Sequence, residues 1–253
     1  MSNFYILSKN YIDVESTINV SSNPDDNYLL FDQSRDIQWK SLEETGENGT
    51  YPTYIEILFY SGGIAVNRTI DTLVLQNINL KKFKIQYWNG MAYVDIPNCD
   101  YTVNILTNLR IKLGTAIVTP KIKIIMDATI IANEEKKIGE IWAMLESMNC
   151  EFRSSREYNI NGINGNFRSA GGILHTFFVY GKMELLWDLS FITTTVLAQL
   201  KAIYNAHAII TIYIDYEIDP NSIFLGQWVG NWKYLQSEPR VPYYTVTFEF
   251  KEN

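Results

Sequence analysis

Cysteine and histidine are scarce in this chain of 253 residues, which holds two of each: Cys99, Cys150, His175 and His207. Two thiols do not make a disulfide framework, and no Cys/His spacing of a metal site is present. So few cysteines suit a reducing compartment, and spacing alone does not show whether the two meet. Neither histidine lies in a His-Glu-x-x-His stretch, and no Gly-x-Ser-x-Gly elbow occurs. The common hydrolase signatures are therefore missing. Glu43-Glu44 and Glu134-Glu135 are adjacent pairs. Adjacent side chains of an extended chain point to opposite sides, which does not make an acid–base couple.

Long apolar runs are missing as well. Nothing approaches the roughly 18 residues of a membrane-spanning helix. The start, "MSNFYILSKNYIDV", lacks the basic-then-apolar order of a secretory signal. The expectation is a chain made in the cytoplasm, with no membrane span. Basic charge is also short, with a net charge of −7. Phosphate binding needs clustered lysine and arginine, so nucleic acid is excluded as the main partner. Residues 1–50 hold nine acids against the three bases Lys9, Arg35 and Lys40, while 51–130 is mildly basic. Asp25, Asp26 and Asp32 lie in the acidic start without the spacing of a calcium loop. The expectation is no metal, no cofactor and no catalytic residue, hence a non-enzymatic protein.

What the chain does have is aromatic residues, 14% of the total, with 17 tyrosines. Tyrosine with β-branched residues favours sheet, and tyrosine and tryptophan also suit interfaces. The clearest stretch is "LVLQNINLKKFKIQYWNGMAYVDI", residues 73–96. Phe83, Ile85 and Tyr87 alternate with Lys82, Lys84 and Gln86; Asn89-Gly90 follows; then Ala92, Val94 and Ile96 alternate again. This predicts a β-hairpin closed by a type I′ turn. Further strands are expected over 54–60, 71–75, 108–113 and 121–129. Many short strands with turn signals between them indicate a sandwich or jelly roll. The charge cluster "IANEEKKIGE" (131–140) reads as a connector between a domain at 1–130 and another at 141–253. Ile141, Met144, Leu145 and Met148 have helical spacing in a segment short enough to be extended, so both readings stay open.

In the second half, "SREYNINGINGNFRSAGGILHTFFVYG" reads as strand, Gly/Asn-rich loop, strand. The loop, 161–172, has no Gly-Lys-Ser/Thr ending and no helix behind it, so it is no phosphate loop. Its backbone needs partners. Two readings stay open: a flexible hairpin tip, or a tip that orders against a neighbouring subunit, with Asn161, Gly162, Asn164, Gly165, Phe167, Arg168, Gly171 and Gly172 as the assembly contact. One α-helix is expected at about 193–206, with an N-cap hydroxyl from Thr193–Thr195 and an apolar stripe of Val196, Leu197, Leu200, Ile203 and Tyr204. Strands follow at 208–218 and 243–250. Trp39 and Trp88 flank predicted loops and admit two fates, core packing or a stacking platform for a sugar face.

Two resemblances extend this reading. "LFDQSRDIQWKSLEETGENGTYPTYIEILFY" and "RTIDTLVLQNINLKKFKIQYWNGMAYVDI", with Asn77 and Asn79 at the centre of the second, resemble the discoidin-like, galactose-binding jelly-roll family over residues 10–130. That resemblance implies a β-sandwich presenting ligands on loops at one end. It places a cell-surface glycan at Asp36 and Trp39. Residues 134–253 resemble structural proteins of phage-type tails on "EKKIGEIWAMLE", "ELLWDLSFITTTVLAQLKAIYNAHAIITIYIDYEIDP", "FLGQWVGNW" and "YYTVTFEF". This second resemblance implies a β-sandwich with one flanking helix. It also implies homo-oligomeric ring formation with further copies and neighbouring tail or baseplate proteins, and a place in the virion tail. The expected fold class is mainly β, in two domains. The expected function is a structural tail or baseplate component, with carbohydrate binding as the alternative.

Overall fold

The computed structural model describes residues 3–7, 10–13, 15–31, 37–41, 53–145, 148–151, 156–168, 174–207, 209–214, 223–238 and 241–252. In chain order the first strands are β1 (Asn3–Leu7), β2 (Thr17–Val20), β3 (Trp39–Lys40), β4 (Thr53–Leu58), β5 (Tyr60–Ser61), β6 (Ile64–Ala65) and β7 (Arg68–Gln76). Next come β8 (Leu80–Trp88), β9 (Tyr93–Tyr101), β10 (Leu109–Thr119), β11 (Lys121–Thr129), β12 (Lys137–Ile138) and β13 (Glu140–Met144). The rest are β14 (Met148–Glu151), β15 (Arg156–Arg168), β16 (Leu174–Thr193), helix α1 (Thr194–Ala206), β17 (Ile209–Ile214), β18 (Ile223–Glu238) and β19 (Val241–Glu252).

The chain divides into two units, and the division is an insertion: Lys9–Glu146 interrupts a unit made of Met1–Ser8 and Ser147–Asn253. This corrects the expected order of domains. β1 does not open the first sandwich. It lies between β14 and β17, with Asn3 opposite Glu151 and Phe4 opposite Ile214. The predicted connector 131–140 is equally misplaced. β12 pairs with β3, and β13 pairs with β7, Ile141 opposite Leu75. All five residues of β13 are buried, so the first part of the segment left open between helix and strand, Ile141 to Met144, is core strand, while Leu145 is exposed and Met148 belongs to β14. The charge cluster before β13 is solvated only in part, with 131–133 and Glu135 exposed. Lys136 is enclosed, its amide donating to Ser41 Oγ (3.0 Å) and its ammonium to Thr53 Oγ1 (3.3 Å).

The inserted unit is a β-sandwich. A five-stranded sheet, β2-β4-β11-β8-β9, faces a three-stranded one, β10-β7-β13. The alternation predicted for these segments is what builds it. Ile55, Ile57, Phe83, Ile85, Ile122 and Ile124 turn inward, against Leu73, Leu75, Ile111 and Ile141 of the other sheet. The two ends of the insert are clamped together by Asn10. Its side-chain amide donates to the Ile141 carbonyl (3.3 Å), and its carbonyl oxygen accepts from Ala143 N–H (3.1 Å). Ends held side by side are what lets a domain interrupt another without disturbing it. The predicted hairpin is present, with Trp88 opposite Tyr93, but its turn spans 89–92. Asn89 Oδ1 accepts from the amides of Met91 (2.9 Å) and Ala92 (3.0 Å), and only Gly90 has positive φ. The asparagine side chain thus stands in for the backbone turn that type I′ would have made.

The other unit is one seven-stranded antiparallel sheet, β14-β1-β17-β18-β19-β16-β15. Its core includes Ile6, Trp187, Leu189, Ile212, Trp228 and Phe248, together with Leu200 and Ile203 of α1. The helix forms where predicted, with Thr193 Oγ1 accepting from Val196 N–H (3.3 Å). The predicted assembly loop is different. Asn161, Gly162, Asn164, Gly165, Phe167 and Arg168 belong to β15, paired with β16 from Asn161 opposite Lys182 to Arg168 opposite Leu174. Gly171 and Gly172 lie outside the described residues. Asparagine and glycine are poor strand formers. The antiparallel partner nevertheless takes the backbone groups on the side of β15 that faces β16.

Candidate functional site

Trp39, the sugar-stacking residue expected from the sequence, is fully buried, and its indole N–H donates to the Asn23 carbonyl (3.1 Å). It packs in the sandwich core with Leu29, Leu30 and Ile138. No ring face is open, so Trp39 is scaffold. Asp36 lies outside the described residues. Of the acidic start, Asp25 and Asp26 sit in the first turn of a 3-10 helix, Pro24–Leu30, where Asp26 accepts from Asn23 Nδ2 (2.8 Å). No grouping of three metal-ligating side chains occurs among the described residues. Cys99 is a free, buried thiol, and burial pushes its pKa up to about 11. It is protonated at neutral pH and has the character of a core residue, not of a nucleophile.

A cleft opens instead at the edge of the sandwich, between β9 and β10. Two irregularities produce it. From Lys84/Asp100 to Gln86/Asp95 the register advances two residues on β8 but five on β9. From Lys112/Thr72 to Ile117/Ile70 it advances five residues on β10 but two on β7. Each strand therefore throws out extra backbone, as β-bulges do next to binding sites. Asn98 takes positive φ (61°) at the centre of the first bulge. The cleft has a volume of about 530 Å³, and Tyr87, Ile96, Leu113, Asn89, Asn98 and Thr115 line it. Ile96 and Leu113 are buried and form an apolar floor, Tyr87 is half-buried, and Asn98 and Thr115 stand exposed at the rim. The lining has no Asp, Glu, His, Lys, Arg or Cys. It can stack and hydrogen-bond a neutral ligand but offers no acid–base pair.

A second feature occupies the outer face of the five-stranded sheet. Glu56 on β4 accepts from the Tyr93 hydroxyl and from Asn19 Nδ2 (3.1 Å), and pairs with Lys121 (3.5 Å). Burial alone would raise the Glu56 pKa, but the Tyr93 and Asn19 hydrogen bonds and the Lys121 charge together hold it below the usual carboxylate value. Burial and the same carboxylate push the Tyr93 phenol upward. The edge cleft and this face both escape sequence reasoning for one reason: their residues come from strands whose pairing and bulges alternation does not reveal.

No protein-family model matches the chain, and no curated protein matches it. Solved structures do. The module CpGH89CBM32-6 of Clostridium perfringens is 16% identical, over 55% of this chain and 100% of its own, at a TM-score of 0.43. Chitosan-binding module 1 of a chitosanase/glucanase from Paenibacillus sp. IK-5 is 15% identical, over 53% of this chain and 98% of its own, at a TM-score of 0.43. The family 32 carbohydrate-binding module of Clostridium perfringens NanJ, solved with galactose, is 14% identical, over 55% of this chain and 98% of its own, at a TM-score of 0.41. These are partial likenesses, each to a module about half the length of this chain.

Proposed function

We propose that the inserted sandwich is a non-enzymatic carbohydrate-binding module and that the edge cleft is its glycan site. The observation that carries the reading is the cleft's lining: an apolar floor, a half-buried tyrosine, two asparagines and a threonine, with no charged side chain. A neutral sugar has the matching surface, an apolar C–H face surrounded by hydroxyls that donate and accept. Ligand sites of this kind combine a mostly apolar wall with a few placed polar groups. The full chain is expected to bind neutral oligosaccharides on a glycan array. Tyr87→Ala should weaken that binding by about 1–3 kcal/mol, on the scale of aromatic anchors. Titration calorimetry of the array hit reads the change. Binding that survives both Tyr87→Ala and Asn98→Ala removes the cleft from the assignment.

A second reading, a ring-forming structural part of a phage-type tail, draws support from the other unit. The outer strands of its sheet, β14 and β15, each have one strand neighbour among the described residues. Open edges of this kind invite pairing with another chain. An edge on each side allows one copy to continue the sheet of the next, the heterologous contact from which rings are built. The inserted module would then decorate the particle. Gly162 lies opposite Gly181, so joining these two by a short turn shortens the β15–β16 hairpin without changing the rest of the register. That variant should remain folded and fail to form the higher oligomers or particles that the full chain enters, as read by light scattering and electron microscopy. Unchanged assembly would count against the reading.

A further inference from the structure

The outer face of the five-stranded sheet carries four lysines, and three of them are matched. Lys82 pairs with Asp127 (3.2 Å), Lys84 with Asp95 (3.3 Å) and Lys121 with Glu56 (3.5 Å). Lys123 is different. On β11 it stands opposite Glu56 of β4 and Gln86 of β8, at the centre of the face. Yet it has no carboxylate within ion-pair distance among the described residues. Glu56 is already engaged by Tyr93, Asn19 and Lys121. The Lys123 ammonium lies instead over aromatic rings, 4.0 Å from the centre of Tyr54 and 5.2 Å from that of Tyr93. Lys121 extends the same arrangement, 4.3 Å over Trp88 and 5.0 Å over Tyr93, and Trp88 and Tyr93 meet edge to face at 5.4 Å.

A ring face attracts an ammonium through its quadrupole, but it does not neutralise the charge as a carboxylate does. Lys123 is therefore a held, unneutralised cation over two half-buried aromatic rings, Tyr54 and Tyr93, with the half-buried Trp88 against the second of them, in a chain whose net charge is −7. Positioned rings and a fixed cation complement one ligand class: a saccharide whose C–H face lies on the rings and whose acidic group meets the ammonium. A bare anion would make no use of the rings, and a neutral sugar would leave the cation unmatched.

We propose that this face is a second saccharide site, selective for anionic sugars, in which Lys123 takes the acidic group and Tyr54, Tyr93 and Trp88 form the platform. It is separate from the edge cleft and does not rest on that assignment. The anionic group has two common sources, a uronic-acid carboxylate or a sulfate ester, and the test separates them.

The experiment titrates the full chain with tetragalacturonate, with a sulfated galactotetraose and with neutral galactotetraose, at low and at moderate salt. One or both anionic probes should bind at this face, more weakly as salt screens the charge. Lys123→Gln should lower that affinity tenfold or more. Lys123→Arg should keep most of it, and Lys82→Gln, which removes a matched lysine, should leave it within about twofold. Tyr87→Ala in the cleft should not change it, so failure of the cleft reading and failure of this one give different results. Three outcomes would overturn the proposal: neither anionic probe binds, Lys123→Gln binds as the parent does, or free sulfate competes as strongly as the sulfated sugar.

Discussion

Replacing Trp39 with alanine should destabilise the inserted sandwich by about 3–5 kcal/mol, the range for deleting a fully enclosed large side chain. Trp39 has no exposed surface, and it belongs to the core cluster that includes Leu29, Leu30 and Ile138. Removing it leaves a cavity that the short β3–β12 ladder, two residue pairs long, is poorly placed to close. It also strands the Asn23 carbonyl, which now accepts the indole N–H at 3.1 Å. Amide hydrogen exchange reads the result unit by unit: protection in β4, β8 and β11 should fall, while β17, β18 and β19 keep theirs. The competing role, a sugar platform, makes the opposite forecast of lost binding at unchanged protection. That result would return Trp39 to the ligand site.

The second large effect is expected at Asn79. Its Oδ1 accepts from Lys137 N–H (2.8 Å), and its Nδ2 donates to the Glu135 carbonyl (2.8 Å) and to Glu134 Oε2 (3.2 Å). Its own carbonyl accepts from Ile130 N–H (2.7 Å). One side chain thus holds the segment that carries the chain from β11 into β12. Asn79→Ala leaves two backbone groups without their partner, for a loss of about 2–3 kcal/mol. The functional consequence is local: residues 131–137 should become the first site cut in limited proteolysis, where the parent chain resists. A variant as resistant as the parent would show that β12 and β13 hold this segment without Asn79.

The connector prediction shows why such a segment misleads. A run of Glu134, Glu135, Lys136 and Lys137 has the composition of a linker. Whether it is solvated depends on what lies beside it, and here Ser41, Thr53 and Asn79 supply the partners from positions 58 to 95 residues away. The expected loop at 161–172 differs in the complementary way, residues 161–168 being strand. Asn and Gly between 161 and 168 signal a turn only if no second strand is available, and β16 supplies one along the whole length.

Alternation by itself determined the mainly β class and, to within two residues, the spans of β4, β8 and β11, with only part of β7 and β10, because burying one face of a pleated strand requires every second residue to be apolar. Local chemistry determined the helix: its Thr193 cap and its apolar stripe, Val196 to Tyr204, lie within about three turns of one another. The tertiary structure alone decided everything that depends on which strand lies next to which. It joined Asn3 to Glu151 across an inserted domain, because strand pairing is set by packing between segments and carries no mark within either of them. It enclosed Trp39, set two bulges side by side to open a cleft, and left Lys123, among the described residues, without the carboxylate that Lys82, Lys84 and Lys121 have. A sequence specifies how far apart residues are along one strand; only the assembled sheets specify how far apart they are across it.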